Sequence, residues 1–104
     1  MTEENHPSLD LDDVVHQRVR LGILAVLNEA PKADFAALRS ILKLTDGNLS
    51  RHLTVLEDAG YVSQDKVFEK KRPKTWVAIT KSGKKAFEDE VAALRALLDG
   101  INGA

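Results

Sequence analysis

The chain has 104 residues, 43% of them hydrophobic and 30% charged, with a formal net charge of −1, a composition typical of one globular domain. It contains no cysteine, which excludes disulfides, thiolate metal sites and cysteine nucleophiles and fits a reducing cytoplasm. The acidic start MTEENHPSLDLDD lacks the apolar core of a signal peptide, and no apolar run approaches the ~20 residues that cross a bilayer.

A single domain over residues 1–104 is expected, with residues 1–8 as a polar tail. A domain of this size buries only ~60% of its unfolded surface, so pairing with a second copy would add stability. The charge is unevenly distributed. Residues 1–13 hold five acids and no Lys or Arg, whereas residues 61–80 hold five bases against Asp65 and Glu69. A near-neutral total therefore hides an acidic start and a basic patch.

In chain order, a long first helix is expected over residues 10–30. Leu11, Val15, Val19, Ile23, Val26 and Leu27 follow helical spacing, and Asp12 and Asp13 suit the positive end of a helix dipole. Leu21 and Leu24 widen that stripe beyond the ~100° that one surface helix buries. Pro31 ends it. Residues 33–35 read as a very short strand, with Asp34 as the cap of a second helix whose inward side carries Phe35, Leu38, Ile41 and Leu42.

Leu44 falls in a turn, and Thr45 or Asp46 caps a third helix over residues 46–59. Leu49, Leu53 and Leu56 point inward at i, i+4, i+7, and Gly60 stops the helix. The period then changes. Residues 61–68 and 75–80 read as two strands rich in β-branched and aromatic side chains, joined by a basic tip over residues 69–74. Thr80 caps a last helix, where Phe87, Val91, Leu94, Leu98 and Ile101 form a regular stripe and Gly100 and Gly103 predict fraying. The fold class is α+β, mainly α, with a two- or three-stranded sheet.

The second and third helices have the layout of a helix-turn-helix DNA reader. Away from its leucines the third helix carries Gly47, Asn48, Arg51, Thr54, Val55 and Asp58, flanked by Ser50 and His52. Arg can grip guanine bidentately, Asn can grip adenine, and Val or a Thr methyl can touch the thymine methyl. Ser50, His52 and first-turn amides, including those near Thr45, suit phosphates. The same pattern also describes a solvated polar face. The basic hairpin that follows, with Lys66, Lys70, Lys71, Arg72 and Lys74, stands where a wing would lie along the DNA backbone or the minor groove, and it tips the reading towards DNA. Pro73 stiffens the tip.

The segments Asp34-Phe35-Ala36-Ala37-Leu38, Leu44-Thr45-Asp46-Gly47-Asn48-Leu49-Ser50-Arg51-His52-Leu53, Leu56-Glu57-Asp58-Ala59-Gly60-Tyr61-Val62 and Lys71-Arg72-Pro73-Lys74-Thr75 resemble the small winged-helix regulators of the MarR/ArsR-like group. Thr80, Gly83, Ala86 and Phe87 fit the same pattern. The resemblance spans residues 14–98. It implies a dimeric, sequence-specific transcription factor, usually a repressor, with Ser50, Arg51, His52 and the wing near DNA. The chain has one C-terminal helix where larger members carry extra segments that often form a ligand pocket, so the resemblance names no effector.

The expected function is sequence-specific binding of double-stranded DNA by a cytoplasmic homodimer. The recognition helix over residues 46–59 would occupy the major groove and the wing over residues 69–75 the backbone or minor groove. The expected DNA contacts are Thr45, Gly47, Asn48, Ser50, Arg51, His52, Thr54, Lys70, Lys71, Arg72 and Lys74. The expected dimer contacts are Leu11, Val15, Val19, Phe87, Val91, Leu94, Leu98 and Ile101, on helices over residues 10–30 and 81–99 that have more apolar surface than a lone winged helix needs. A pair would place two recognition helices ~34 Å apart on a pseudo-palindromic operator. The alternatives are a winged helix used for protein interaction and an architectural DNA binder of low specificity. No enzyme, cofactor or metal is expected. Asp12 and His16 are spaced to share a metal but lack further ligands, and Lys81-Ser82-Gly83-Lys84-Lys85 lacks the upstream glycine of a phosphate-binding loop.

Overall fold

The computed structural model describes residues 6–102. A single 3-10 turn, Pro7–Asp10, leads through turns into α1 (Arg18–Glu29), followed by β1 (Lys32–Asp34), α2 (Phe35–Leu42), α3 (Asp46–Asp58), β2 (Val62–Glu69), β3 (Arg72–Ile79) and α4 (Lys81–Asn102). The three strands form one antiparallel sheet in the order β1-β3-β2. The expected tail lies outside the described residues except for 6–8, where Pro7 and Ser8 belong to the 3-10 turn; Gly103 also lies outside them.

The first helix begins at Arg18 and not near residue 10. Asp12 accounts for the difference: its Oδ1 accepts the backbone N–H groups of Val14 and Val15 at 2.8 and 3.2 Å, and its Oδ2 accepts the Tyr61 hydroxyl at 3.0 Å. A short acidic side chain that captures nearby amides in this way competes with the helix ladder. The Gln17 side chain then caps α1 by accepting the Arg20 N–H at 2.9 Å. Burial and the bond to Asp12 push the Tyr61 phenol above its usual range.

Both remaining oxygens of this joint belong to Glu90 of α4, whose side chain is wholly buried. The Asp12 N–H donates to Glu90 Oε1 at 3.0 Å, and His16 Nδ1 lies 2.7 Å from Oε2. The two residues spaced for a metal instead converge on a carboxylate.

The core consists of Val15, Ile23, Leu24, Leu27, Leu38, Leu49, Leu53, Leu56, Val62 and Val77. Two sequence expectations change here. Val15 is fully buried within its own chain and offers nothing to a partner, because the turns over residues 11–17 fold it inward. Ile41 is 59% exposed and does not face inward, since the short α2 turns only Leu38 fully into the core.

The hairpin is tighter than its composition suggests. β2 and β3 pair continuously from Val62↔Ile79 to Glu69↔Arg72, so Arg72, Pro73 and Lys74 belong to a strand and the turn is only Lys70-Lys71. Both lysines have positive φ, 51° and 63°, as a type I′ turn requires.

The Thr80 hydroxyl donates to Gly60 O at 2.6 Å and accepts the Gly83 N–H at 2.9 Å, which joins the end of α3, the root of the wing and the start of α4. Gly83 is required at this corner. A Cβ there would lie 2.0 Å from the Tyr61 carbonyl oxygen. From this corner α4 runs for 22 residues through Gly100, about 33 Å at the α-helical rise, in a molecule measuring 60 × 23 × 22 Å. Its first half lies against the core through Ala86 and Phe87, whereas Leu98 and Ile101 are 55% and 71% exposed. Among the described residues no helix is long and apolar enough to cross a membrane.

Candidate nucleic-acid interface

α2 ends at Lys43 in the left-handed conformation, with the Leu44 N–H donating to Arg39 O at 3.0 Å. After this short turn Thr45 Oγ1 accepts the Asn48 N–H at 3.1 Å and starts α3. Leu49, Leu53 and Leu56 are fully buried and fix the helix, leaving Gly47, Asn48, Arg51, Thr54 and Asp58 exposed and Val55 half-buried. An Arg51 guanidinium nitrogen donates to Asn48 Oδ1 at 3.0 Å, so the two candidate base readers are held together in the free protein. No neighbour comes within 4 Å of a Cβ built on Gly47, so the first turn of α3 is open to a backbone from outside.

One flank of α3 faces the wing. Ser50, Thr54 and Glu57 of α3 line a cleft of about 990 Å³ together with Gln64, Lys66, Glu69, Lys70, Arg72, Pro73, Lys74 and Thr75 of the hairpin and Asp34, Phe35 and Ala36 at the start of α2. The Glu57 carboxylate accepts the backbone and side-chain N–H groups of Gln64 at 3.3 and 3.0 Å, fixing the spacing between helix and wing. The exposed Thr54 donates its hydroxyl to Ser50 O at 3.0 Å, which leaves its methyl as the candidate thymine contact.

The expected basic residues are not equivalent. Lys70, Lys71 and Arg72 are exposed at the tip. Lys74 shares a sheet face with Trp76, its Nζ 4.6 Å from the Trp76 ring centroid and 3.5 Å from Asp34 Oδ2. Lys32 lies on the same ring at 5.0 Å, so Lys74 is largely engaged within the sheet. Phe68 is 72% exposed near the tip, opposite Pro73.

On the other flank of α3, His52 is half-buried against Arg20, with 3.1 Å between Nδ1 and the guanidinium. Burial first, then the charges of Arg20 and Arg51, hold its imidazole below the usual pKa of 6.5. Sequence reasoning did not find Arg20, Glu57 or Gln64. The last two carry no local signal, and Arg20 gains meaning only from residues far away in sequence.

The winged helix DNA-binding domain family matches residues 19–98. An uncharacterized protein of Methanocaldococcus jannaschii is 40% identical over 83 residues, covering 80% of this chain and 90% of that one. A transcriptional regulator homologue from Pyrococcus horikoshii is 39% identical with a TM-score of 0.80, covering 85% of this chain and 87% of that one. A MarR-family transcriptional regulator from Silicibacter pomeroyi, at 18% identity, shares the fold with a TM-score of 0.66, covering 92% of this chain and 64% of that one. With a basic β-hairpin set beside the exposed face of a helix-turn-helix, the chain belongs to the winged helix DNA-binding domain family and has the fold of MarR-like transcriptional regulators.

Proposed function

We propose that the protein is a cytoplasmic transcriptional regulator, a repressor, that binds pseudo-palindromic DNA sequence-specifically as a homodimer. The observation that carries this reading is the cleft between α3 and the wing, with exposed polar residues of the helix on one side and Lys66, Lys70, Arg72 and Lys74 of the hairpin on the other. In this reading α3 enters the major groove, where Asn48, Arg51 and the Thr54 methyl read bases. Thr45, Gly47, Ser50 and His52 meet phosphates, and Lys70, Lys71 and Arg72 follow the backbone or the minor groove. Lys74 lies on the same face of β3 as Arg72 and lines the cleft; held by Asp34 and the Trp76 ring, it steadies the wing and adds charge.

Pairing is assigned to α4. Leu94, Leu98 and Ile101 continue the apolar stripe beyond the core, and Leu98 and Ile101 stand exposed among the described residues. Leu11, Val19, Phe87 and Val91 are partly buried and complete the proposed contact set. Two copies joined there would present two α3 helices to half-sites ~34 Å apart.

Selection of bound duplexes from a random library tests the reading, because it should return palindromes with one-turn half-site spacing. Arg51→Ala should cost ~1–3 kcal/mol on the selected site and little on random duplex, whereas Arg72→Ala should weaken both alike and flatten the salt dependence. Retention of random duplex without enrichment would indicate an architectural binder, and no retention at low salt a protein-interaction module. Sedimentation as a monomer at micromolar concentration, with and without DNA, would remove the dimer.

A further inference from the structure

Arg20 is the last polar residue before the apolar run of α1, and its half-buried guanidinium is engaged on three sides. Its Nε–H donates to Val14 O at 2.6 Å, and one terminal nitrogen donates to Asp13 O at 3.4 Å. The other terminal nitrogen meets His52 Nδ1 at 3.1 Å. A guanidinium has donors only, so Nδ1 must accept and cannot carry a proton. The neutral ring therefore has its hydrogen on Nε2, which makes no hydrogen bond among the described residues.

A phosphate oxygen only accepts, so a histidine that touches it must offer an N–H. We propose that Arg20 is a positioning residue for DNA binding: by donating to Nδ1 it holds His52 as the Nε2–H tautomer and aims that N–H at a phosphate of the DNA backbone. This inference rests on the DNA-binding reading above. The bond to Arg20 also sets the ring plane, because Arg20 is itself held by the carbonyls of Asp13 and Val14. The depressed pKa of the ring keeps it neutral at physiological pH, so the tautomer and not the charge determines what His52 can offer.

The test has one arm without DNA and one with it. In 15N-labelled free protein, long-range 1H–15N correlation spectra above pH 7 should show the Nε2–H pattern for His52. Arg20→Met should convert it to a tautomer mixture, and Arg20→Lys should restore part of the bias. A Nδ1–H ring in wild type, or an unchanged ring in Arg20→Met, overturns the inference. In the second arm, binding of a random-sequence duplex at fixed salt is compared for wild type, Arg20→Met, His52→Phe and the double variant. Each single change should weaken binding about three- to tenfold, the scale of one ordinary hydrogen bond. The double variant should be no weaker than His52→Phe alone. Additive losses overturn the inference, because Arg20 would then touch DNA itself. If wild type shifts no duplex, the DNA reading falls, and the aim at a phosphate falls with it.

Discussion

Glu90 Oε2 and His16 Nδ1 meet at 2.7 Å although 74 positions separate them, and Glu90 Oε1 accepts the Asp12 N–H. The carboxylate is wholly buried, so both oxygens need partners to offset lost hydration. Glu90→Ala would leave the Asp12 N–H without its acceptor and open a void, lowering stability by about 2–4 kcal/mol. Glu90→Gln keeps the shape and an acceptor for Asp12 and should lose about half as much. Urea unfolding measures both, and equal midpoints for wild type and Glu90→Ala would show that the joint does not hold the fold.

Gly83 and Gly47 lie in the first turns of their helices and should respond oppositely to alanine. At Gly83 the new Cβ would lie 2.0 Å from the Tyr61 carbonyl oxygen, a backbone atom that cannot swing aside. A loss of about 3 kcal/mol is expected. At Gly47 the space is open, so alanine should gain about 0.5–1 kcal/mol of helix stability. If a phosphate approaches there, Gly47→Ala will be more stable by thermal melting yet weaker on duplex.

Lys70 and Lys71 combine strain with charge at the wing tip, because both have positive φ. Replacing the pair by Asn-Gly, which suits a type I′ turn, should stabilise the fold by about 1–2 kcal/mol. The same change removes two cations and should flatten the slope of log K against log salt by up to about 1.8. A melt and a salt titration on one variant give both numbers, and a gain in stability with an unchanged slope would mean the tip does not meet DNA.

The lowered pKa of His52 fixes the sign of a pH effect. Between its folded pKa and the unfolded value of 6.5 the unfolded chain binds more protons, so stability rises with pH there and falls on acidification through 6.5. The His52 midpoint followed by NMR should lie below 6.5. Arg20→Met removes the second largest cause and should raise it without full recovery, since burial remains the largest. A midpoint in Arg20→Met equal to wild type would show that the two side chains do not interact in solution.

Periodicity made α3 legible almost to the residue: Leu49, Leu53 and Leu56 are buried, Thr45 caps the helix and Gly60 follows it with φ of 83°. The same logic failed before α1. Leu11, Val15 and Val19 keep helical spacing, yet Asp12 captures the amides of Val14 and Val15 and is held by Tyr61, 49 positions away. No local pattern carries that partnership. The wing was visible from its charge but not its register, because Lys-Lys is not a sequence that announces a two-residue turn. In the candidate interface the outward residues of α3 stand together as their spacing implied, whereas Lys74, two positions from Arg72 on the same face of β3, is drawn onto Asp34, Glu69 and the Trp76 ring, partners that no local pattern announces.

The corner at Gly60, Thr80 and Gly83 has a mechanical consequence. α4 leaves the body at the point where α3 ends and the wing begins, with the hydroxyl of Thr80 bonded to both sides and no room for even a methyl group. The orientation of α4 is therefore tied directly to the end of α3 and the root of the wing. In a pair joined through the far half of α4, substitutions around Leu98 and Ile101 would re-aim both heads together and leave each head's chemistry intact. If the proposed pairing and DNA reading hold, changes in half-site spacing are then expected to arise from the far half of α4 and not from α3 or the wing.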